Sequence, residues 1–309
     1  MLSVTLHAKE MLPLQCVAFS PYVNQLSPDY GTKPDVKLIS ELLDILVKET
    51  PFRCIMSYGV LNGLEAIFPE AKKRNIKVIS ILWLDKDKKI NTDSISHGIA
   101  LAREYPDTIV RLSCGSEVRT RNNYEFDTET ERCLNALREA KVPQPIGVID
   151  TWWEWCNRTQ PCHQNQFSDK VDWIGINIFP WWENRHSDTF CVNAKNADDF
   201  HVARWQEVKN THPNKEVIIT EFGWVYAPEG KAQINIKTKK ECGIASRKNQ
   251  QQVIQNTFKK LAKKKISAVA FEAFSENWKP DKEGDFGRFW GLCDGNPPYH
   301  CHLSLKLNH

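Results

Sequence analysis

The 309-residue sequence has no long apolar run, no glycine-rich phosphate loop and no strong excess of charge of either sign. A helix that spans a bilayer needs roughly 18 consecutive apolar residues, so no membrane-spanning segment is predicted. A net charge of +3 is too small to indicate a nucleic-acid or membrane-surface partner. A nucleotide would need a glycine-rich turn after a strand, so no cofactor is expected.

The N-terminus lacks a typical signal peptide, because His7, Lys9 and Glu10 interrupt its apolar residues. Either the protein is not secreted by that route, or the chain begins after processing. One N-glycosylation sequon, Asn157-Arg158-Thr159, gives weak support for secretion.

Ten cysteines are more than a typical cytosolic enzyme carries, which favours an extracellular or cell-wall location. Two pairs that are close in sequence are candidate disulfides: Cys156 with Cys162, and Cys293 with Cys301. His300 beside Cys301 has no matching second cluster, so no metal site is predicted. Three cysteines in predicted strands are interpreted as small buried hydrophobic residues: Cys16, Cys54 and Cys114.

Eight short apolar segments alternate with amphipathic ones and predict eight strands of a parallel sheet. Since no break in composition separates them, the sequence predicts an α/β fold: a single (β/α)8 TIM barrel over residues 1–309, expected as a monomer. The predicted strands are Gln15 to Phe19, Arg53 to Tyr58, Lys77 to Leu84, Ile109 to Gly115, Pro145 to Trp152, Val171 to Phe179, Glu216 to Phe222 and Ser267 to Phe274.

Helical spacing of apolar residues follows most of these strands. The first helix is predicted to begin at Pro34 and Asp35, which suit a helix N-terminus. The fifth is the least clear and is placed between Glu154 and Asp169. The others are predicted at Leu64 to Arg74, Ser94 to Glu104, Asp127 to Ala140, Ala197 to Lys209 and Ser246 to Lys264.

Two of the predicted strands, the fourth and the seventh, run into a glutamate, at Glu117 and Glu221. In such barrels the chemistry lies where the strands end, so both carboxyl groups are expected at the same mouth. Either one alone could belong to a structural ion pair. Together they provide the two carboxyl groups, about 5 Å apart, that a retaining glycosidase needs. Asp150, near the end of the fifth strand, is interpreted as structural, with a reserve catalytic role left open.

Tryptophans follow several strands, and the flat C–H face of a sugar ring packs well on such side chains. We expect about half of the following eight to contact a ligand and the rest to close the barrel mouth: Trp83, Trp152, Trp153, Trp181, Trp182, Trp224, Trp278 and Trp290.

Six motifs in chain order make the sequence resemble glycoside hydrolase family 17, the β-1,3-glucan-active family of the retaining barrel clan. It looks closest to the short fungal and bacterial members. The motifs are Ala18-Phe-Ser-Pro-Tyr22, Ser57-Tyr58-Gly59, Cys114-Gly-Ser-Glu117, Asp172-Trp-Ile-Gly-Ile-Asn-Ile-Phe-Pro-Trp181, Thr220-Glu-Phe-Gly-Trp224, and Phe271-Glu-Ala-Phe-Ser-Glu-Asn-Trp-Lys279 with Glu283 and Phe286-Gly287.

The resemblance implies that Glu117 is the acid/base and Glu221 the nucleophile. It also implies that Glu276, Lys279 and Glu283 support the nucleophile, with Lys279 favouring its ionised form. Together with the strand ends, it assigns substrate-binding or supporting roles to Tyr22, Tyr58, Ser116, Trp152, Asn177, Trp181, Trp224, Glu276, Trp278, Lys279 and Glu283. The expected ligands are β-1,3-glucan and laminari-oligosaccharides.

Two departures from the family pattern affect the expected activity. Ser116 stands where the clan usually has an asparagine that binds the sugar 2-hydroxyl, so the rate is in question. The loop after strand six, between Trp182 and about Ala197, is reduced, as in the members that include glucanosyltransferases. The sequence therefore predicts a β-1,3-glucanosyltransferase with hydrolytic side activity. An endo-β-1,3-glucanase is the alternative, and a catalytically weak glucan-binding protein is the third reading.

Overall fold

Eight parallel strands close into a barrel in the computed structural model, which describes residues 13–122, 124–187, 189–279 and 286–303. Going round the barrel, the strand order is β1, β10, β7, β6, β5, β4, β3 and β2, so the predicted (β/α)8 architecture is confirmed. The strands are β1 (Gln15–Phe19), β2 (Cys54–Ser57), β3 (Lys77–Leu82), β4 (Ile109–Ser116), β5 (Ile146–Thr151), β6 (Trp173–Asn177), β7 (Glu216–Phe222) and β10 (Ala268–Ala270). A single catalytic domain over residues 1–309 stays a prediction.

Several strands are shorter than predicted, and β10 shows why. Beyond Ala270 the chain still bonds to both neighbours, since Phe271 N–H donates to Phe222 and Ala273 N–H to Ala18. These bonds no longer form a regular ladder, because the chain turns to carry Glu272 and the residues after it to the barrel mouth.

Helices cover the outside of the barrel, and capping side chains set several of their starts. Asp35 accepts the N–H of Leu38, and Ser246 accepts the N–H of Asn249. Asp87 caps the third helix, which begins at Lys88, six residues before the predicted start at Ser94. The helices are α1 (Val36–Glu49), α2 (Ile67–Lys73), α3 (Lys88–Glu104), α4 (Val118–Asn122), α5 (Asp127–Glu139), α6 (Trp152–Trp155), α7 (Pro180–Glu183), α8 (Ala197–Thr211) and α9 (Arg247–Lys263).

A two-stranded hairpin, β8 (Ala232–Ile234) and β9 (Glu241–Ile244), lies between β7 and α9 and was not predicted. Its inner face packs on the tryptophans that follow β6 and β7, since Trp224 Nε1 donates to the carbonyl of Ile244. None of the helices in the described ranges has both the length and the apolar character needed to cross a bilayer.

Five disulfides join all ten cysteines. Cys156–Cys162 and Cys293–Cys301 confirm the two candidate pairs. The interpretation of the strand cysteines as free hydrophobic residues was wrong. Cys16 in β1 bonds to Cys54 in the adjacent β2, and Cys114 in β4 bonds to Cys133 in α5. Cys191–Cys242 joins the segment after α7 to β9.

Candidate active site

Glu117 stands immediately after β4 in an unusual backbone conformation. Its φ is +51°, in the left-handed region that side chains other than glycine seldom adopt, and Gly115 just before it has φ +82°. A Cβ on Gly115 would lie 2.3 Å from Cγ2 of Val118, so only glycine fits there. The N–H of Glu117 donates to the carbonyl of Ile149 at 2.9 Å, which ties the turn to β5. Left-handed residues held by their surroundings are common in active sites.

Asp150, at the end of β5, secures the chain that follows Glu117. Its carboxylate accepts the N–H of Arg119 at 2.9 Å and the hydroxyl of Thr120 at 2.6 Å. Burial raises the pKa of Asp150 to about 7, although these hydrogen bonds oppose the rise. These contacts agree with a structural role for Asp150.

Glu221 lies near the end of β7, opposite Asn177 in β6. The hydroxyl of Tyr58, after β2, donates to Glu221 Oε1 at 2.8 Å. Gly223 lets the chain pass closely over the end of β10, because a Cβ there would lie 2.4 Å from the Phe271 carbonyl oxygen. Tyr58, which was predicted to bind substrate or support the site, therefore contacts the predicted nucleophile directly.

Asn177 joins Glu117 to β7, the strand that carries Glu221. Its Nδ2 donates to Glu117 Oε1 at 2.9 Å, and its Oδ1 accepts the hydroxyl of Thr220 at 2.8 Å. Because an ionised carboxylate can only accept, ionised Glu117 requires the NH2 end of the Asn177 amide to face it, and the Thr220 hydroxyl, which can donate, suits the other end. One buried side chain thus fixes the position of Glu117 relative to β7.

Glu117 and Glu221 line the same cavity of about 300 Å³ at the barrel mouth. Aromatic rings and two cations make up the rest of its wall, which suits a ligand with flat apolar faces and a polar rim. The remaining lining residues are Phe179, Trp182, Arg185, Phe271, Lys279 and Trp290. Of these, Phe179, Arg185 and Phe271 were not predicted as site residues; Phe179 and Phe271 lay within quoted motifs, but nothing in the sequence singled out Arg185.

Both catalytic candidates have perturbed acidity. Burial raises the pKa of Glu221 to about 8, and the charge of Glu117 adds to the rise. Burial also raises the pKa of Glu117, against the effects of Asn177, Arg121 and Lys279. Lys279 does lower the pKa of Glu221, as expected, but burial and Glu117 outweigh it. Both shifts favour the protonated forms, and because the charge of Glu117 opposes ionisation of Glu221 the two groups titrate as a coupled pair.

A cluster of buried charged groups lies beside Glu221, and Glu276 is at its centre. Glu276 accepts hydrogen bonds from the hydroxyl of Ser20 and from Nε1 of Trp278, the latter at 3.2 Å. Lys279 Nζ lies 3.0 Å from Glu276 Oε2 and 3.4 Å from Glu272. The predicted residues Glu276, Trp278 and Lys279 therefore lie together. The family motif contained Glu272 without giving it a role.

The predicted tryptophans divide into two groups. Trp182, Trp278, Trp83 and Trp153 are partly exposed, and Trp182 lines the cavity. Trp181 and Trp224 have 0% exposure and pack edge to face at 5.1 Å. Substrate-binding or supporting roles were predicted for Trp181 and Trp224, and of the two a supporting role fits side chains that have no exposed surface. They support the β8–β9 hairpin from below.

The remaining predicted residues surround the cavity without lining it. Trp152 is mostly buried, and its Nε1 donates to Glu183 at 3.0 Å. Tyr22 is buried, and its pKa is raised by that burial and by the charges of Glu276 and Glu65. Ser116 is buried beside Glu117, and its carbonyl accepts Nη2 of Arg121 at 3.0 Å. Glu283 lies outside the described residues.

The β8–β9 hairpin is bonded to the segment after α7, which carries the cavity residue Arg185. Nδ2 of Asn235 donates to the carbonyls of Asn184 at 2.9 Å and Ser187 at 2.7 Å. The N–H of Ile236 donates to the carbonyl of Arg185, a cavity residue. No group of three or more His, Cys, Asp or Glu side chains in the described ranges is arranged to hold a metal ion.

Comparison with known proteins places most of the chain in one domain type, since residues 16–291 match the BtgE/BtgC glycoside hydrolase domain. The chain is 25% identical over 190 residues to a probable glucan endo-1,3-beta-glucosidase, eglC, of Aspergillus oryzae. That match covers 54% of this chain and 38% of the relative. It is 22% identical to the cell surface mannoprotein MP65 of Candida albicans, over 89% of this chain and 65% of that protein.

Among solved structures, the chain resembles the glycoside hydrolase family 17 beta-1,3-glucanosyltransferase from Rhizomucor miehei. The TM-score is 0.72 at 15% identity, with 95% of this chain and 98% of that chain covered. This likeness shows a shared fold. The chain spans less than two thirds of the length of the two relatives above.

Proposed function

The chain belongs to the BtgE/BtgC glycoside hydrolase domain family, and from that premise we propose that it is a retaining β-1,3-glucan-active enzyme. We infer that it is a β-1,3-glucanosyltransferase with hydrolytic side activity. The observation that carries the proposal is that Glu117 and Glu221 line one cavity, with Asn177 holding Glu117 against the strand that carries Glu221. Laminari-oligosaccharides are the proposed substrates, and the proposed location is extracellular or in the cell wall.

In the proposed reaction, Glu221 attacks the anomeric carbon while Glu117 protonates the departing glycosidic oxygen. The glucosyl group is then covalently bound to Glu221. Glu117, now ionised, takes a proton from the incoming nucleophile, which attacks the same carbon and frees Glu221. Transfer results when that nucleophile is a sugar hydroxyl, and hydrolysis results when it is water.

Glu117 must be protonated and Glu221 ionised for the first step. The Tyr58 hydroxyl and the Lys279 ammonium both stabilise ionised Glu221, against the burial and the Glu117 charge that raise its pKa. Asn177 orients Glu117 through its hydrogen bond. The aromatic wall of Phe179, Trp182 and Trp290 would exclude water from the mouth and favour transfer.

The alternative is an endo-β-1,3-glucanase that acts mainly by hydrolysis, which the named activity of the Aspergillus oryzae relative favours. The two are separated by incubating the enzyme with one purified laminari-oligosaccharide and sizing the products over time. Products longer than the substrate support transfer, and only shorter products support hydrolysis. Tight laminarin binding without any cleavage would leave the third reading, a glucan-binding protein. Proton NMR of the first-formed product would test retention of the β configuration.

A further inference from the structure

Three ionisable side chains are buried against one another where the chain leaves β10. Glu272, Glu276 and Lys279 are 1%, 4% and 7% exposed. Lys279 Nζ lies 3.0 Å from Glu276 Oε2 and 3.4 Å from each oxygen of Glu272. Both carboxyl groups are therefore buried against the same ammonium. Two buried carboxylates in this position would repel each other, and a proton on one of them removes that repulsion.

The contacts decide which carboxyl group holds that proton. Glu276 accepts from the Ser20 hydroxyl, from Trp278 Nε1 and from the Lys279 ammonium, and these bonds all stabilise its ionised form. Glu272 contacts Lys279 at 3.4 Å, which gives much less stabilisation to a charge. Burial raises the pKa of Glu272 well above its usual value. The pKa of Glu276 is lowered despite its burial, chiefly by Lys279.

Charge balance around the cluster favours the same assignment. Glu221 from β7 and Tyr58 from the end of β2 face it on one side, and Tyr22 faces Glu276 from the end of β1. If Glu272 were also ionised, one ammonium would lie between two carboxylates, and the added negative charge would oppose ionisation of Glu221. A neutral Glu272 leaves the Lys279 ammonium paired with ionised Glu276 at 3.0 Å.

We propose that Glu272 is a positioning residue that stays protonated in the resting enzyme and, with Glu276, holds the Lys279 ammonium at the cavity beside Glu221. The cavity wall includes Lys279 and the Phe271 ring, and Nζ lies 4.4 Å from the centre of that ring. The ring fixes one side of the ammonium and the two carboxyl groups fix another. The catalytic part of this proposal rests on the proposed function, whereas the protonation of Glu272 does not.

The protonation is tested without substrate, by infrared difference spectroscopy of the full chain at neutral pH. A protonated carboxylic acid has a C=O absorption that an ionised carboxylate lacks. We expect wild type minus Glu272→Gln to show the loss of one such band, sensitive to exchange into D2O. Glu70→Gln is the matched control, because Glu70 is also buried but pairs with Lys73 and Arg74, and its pKa is lowered. It should lose a carboxylate band instead. An unchanged C=O region in Glu272→Gln overturns the proposal.

The positioning role is tested by turnover of a laminari-oligosaccharide. Glu272→Gln keeps the shape and the neutral charge, so it should retain kcat within about threefold, whereas Glu272→Ala should lower kcat at least about tenfold with little change in KM. Thermal unfolding of both variants corrects for the folded fraction. Wild-type kcat in folded Glu272→Ala, or a Glu272→Gln variant as slow as Glu272→Ala, overturns the role. If wild type cleaves no glucan, the proposed function fails and the infrared result still decides the protonation.

Discussion

Strands β4 and β7 carry charged groups near both ends, and the two ends are arranged in opposite ways. At the base, Arg111 near the start of β4 donates to Glu216 at the start of β7, with Nε to Oε2 at 3.0 Å and Nη2 to Oε1 at 3.2 Å. At the mouth, the same strands bring together two carboxyl groups, Glu117 and Glu221. Opposite charges are paired at one end, and two carboxyl groups of the same kind are buried together at the other.

The comparison shows where this barrel gives up stability for chemistry. A two-pronged arginine–carboxylate contact satisfies both partners and joins opposite sides of the base. At the mouth, burial and mutual repulsion raise the pKa of Glu221, and Glu117 has a left-handed backbone. Each of these features costs folding free energy. Perturbed groups of this kind concentrate at functional sites, so the mouth rather than the base is the candidate for catalysis.

The largest expected effect is on catalysis. Glu117→Ala and Glu221→Ala should each lower turnover of laminari-oligosaccharides by at least about 1,000-fold, because each removes a group that makes or breaks bonds. Glu216→Ala, which removes a carboxylate from the base of β7, should leave turnover near wild type. Steady-state kinetics on the three variants test this difference between the mouth and the base. Loss of activity in all three would contradict it.

Azide adds a test of roles to these variants. With an activated glucoside, azide should restore turnover of Glu117→Ala and give the β-glycosyl azide, because the nucleophile is intact and the small anion needs no general base. An inverted α-azide from Glu221→Ala would agree with Glu221 as the nucleophile, whereas an α-azide from Glu117→Ala together with a β-azide from Glu221→Ala would mean that the two roles are exchanged.

The next largest effect is on stability, where substitution of a candidate catalytic residue should make the protein more stable. The folded pKa of Glu221, about 8, lies above the ordinary value of 4.5. Below pH 4.5 the carboxyl group is neutral in both the folded and the unfolded protein, so its pKa shift does not affect stability. Between pH 4.5 and 8 it ionises more readily in the unfolded protein, and this lowers the free energy of unfolding as the pH rises. Glu221→Gln removes that cost and should raise the free energy of unfolding by up to about 3 kcal/mol at pH 7. Denaturant unfolding at pH 7 and pH 4 checks this, since the gain should vanish at pH 4. A variant less stable than wild type at pH 7 would contradict it.

A smaller effect is expected on substrate binding at the mouth. Trp182→Ala should raise KM about tenfold, because the partly exposed ring of Trp182 lines the cavity and would lose its contact with a sugar. Trp153 is also partly exposed but does not line the cavity, so Trp153→Ala is the matched control. Equal KM changes in the two variants would show that Trp182 is not a ligand contact.

The smallest expected effect is at the base. Glu216→Gln should lower the free energy of unfolding by about 1 kcal/mol, because the Glu216 side chain is 38% exposed and water screens its pairing with Arg111. A double-mutant cycle with Arg111→Met isolates the pairing. The coupling should weaken with added salt, and a coupling above about 3 kcal/mol would mean that the base is as sensitive as the mouth.

Local signals in the sequence were enough to predict the barrel and its mouth. Apolar runs gave eight strands, and Asp35 and Ser246 marked the starts of their helices. Glu117 and Glu221 could be placed in one site because parallel strands of a barrel end at the same rim. The topology alone places them there, although they are far apart in the sequence.

Features that depend on contacts between distant segments were not predictable. Cys16 and Cys54 are 38 residues apart and become neighbours only through the pairing of β1 with β2. Trp181 follows its strand as Trp182 does, yet it faces the hairpin whereas Trp182 faces the cavity. Burial also decided the acidity of Glu221, and a sequence does not show how deeply a carboxyl group will lie.

The Cys191–Cys242 bridge and the Asn235 contacts fasten two successive βα loops to each other. Residues of both loops therefore move as one unit, and Trp182 and Arg185 belong to that unit. Replacing only one of the two loops with a longer counterpart would remove the disulfide and the hydrogen bonds that join them. Redesign of the cleft for longer or branched chains should exchange both loops, with their cysteines, as a single cassette.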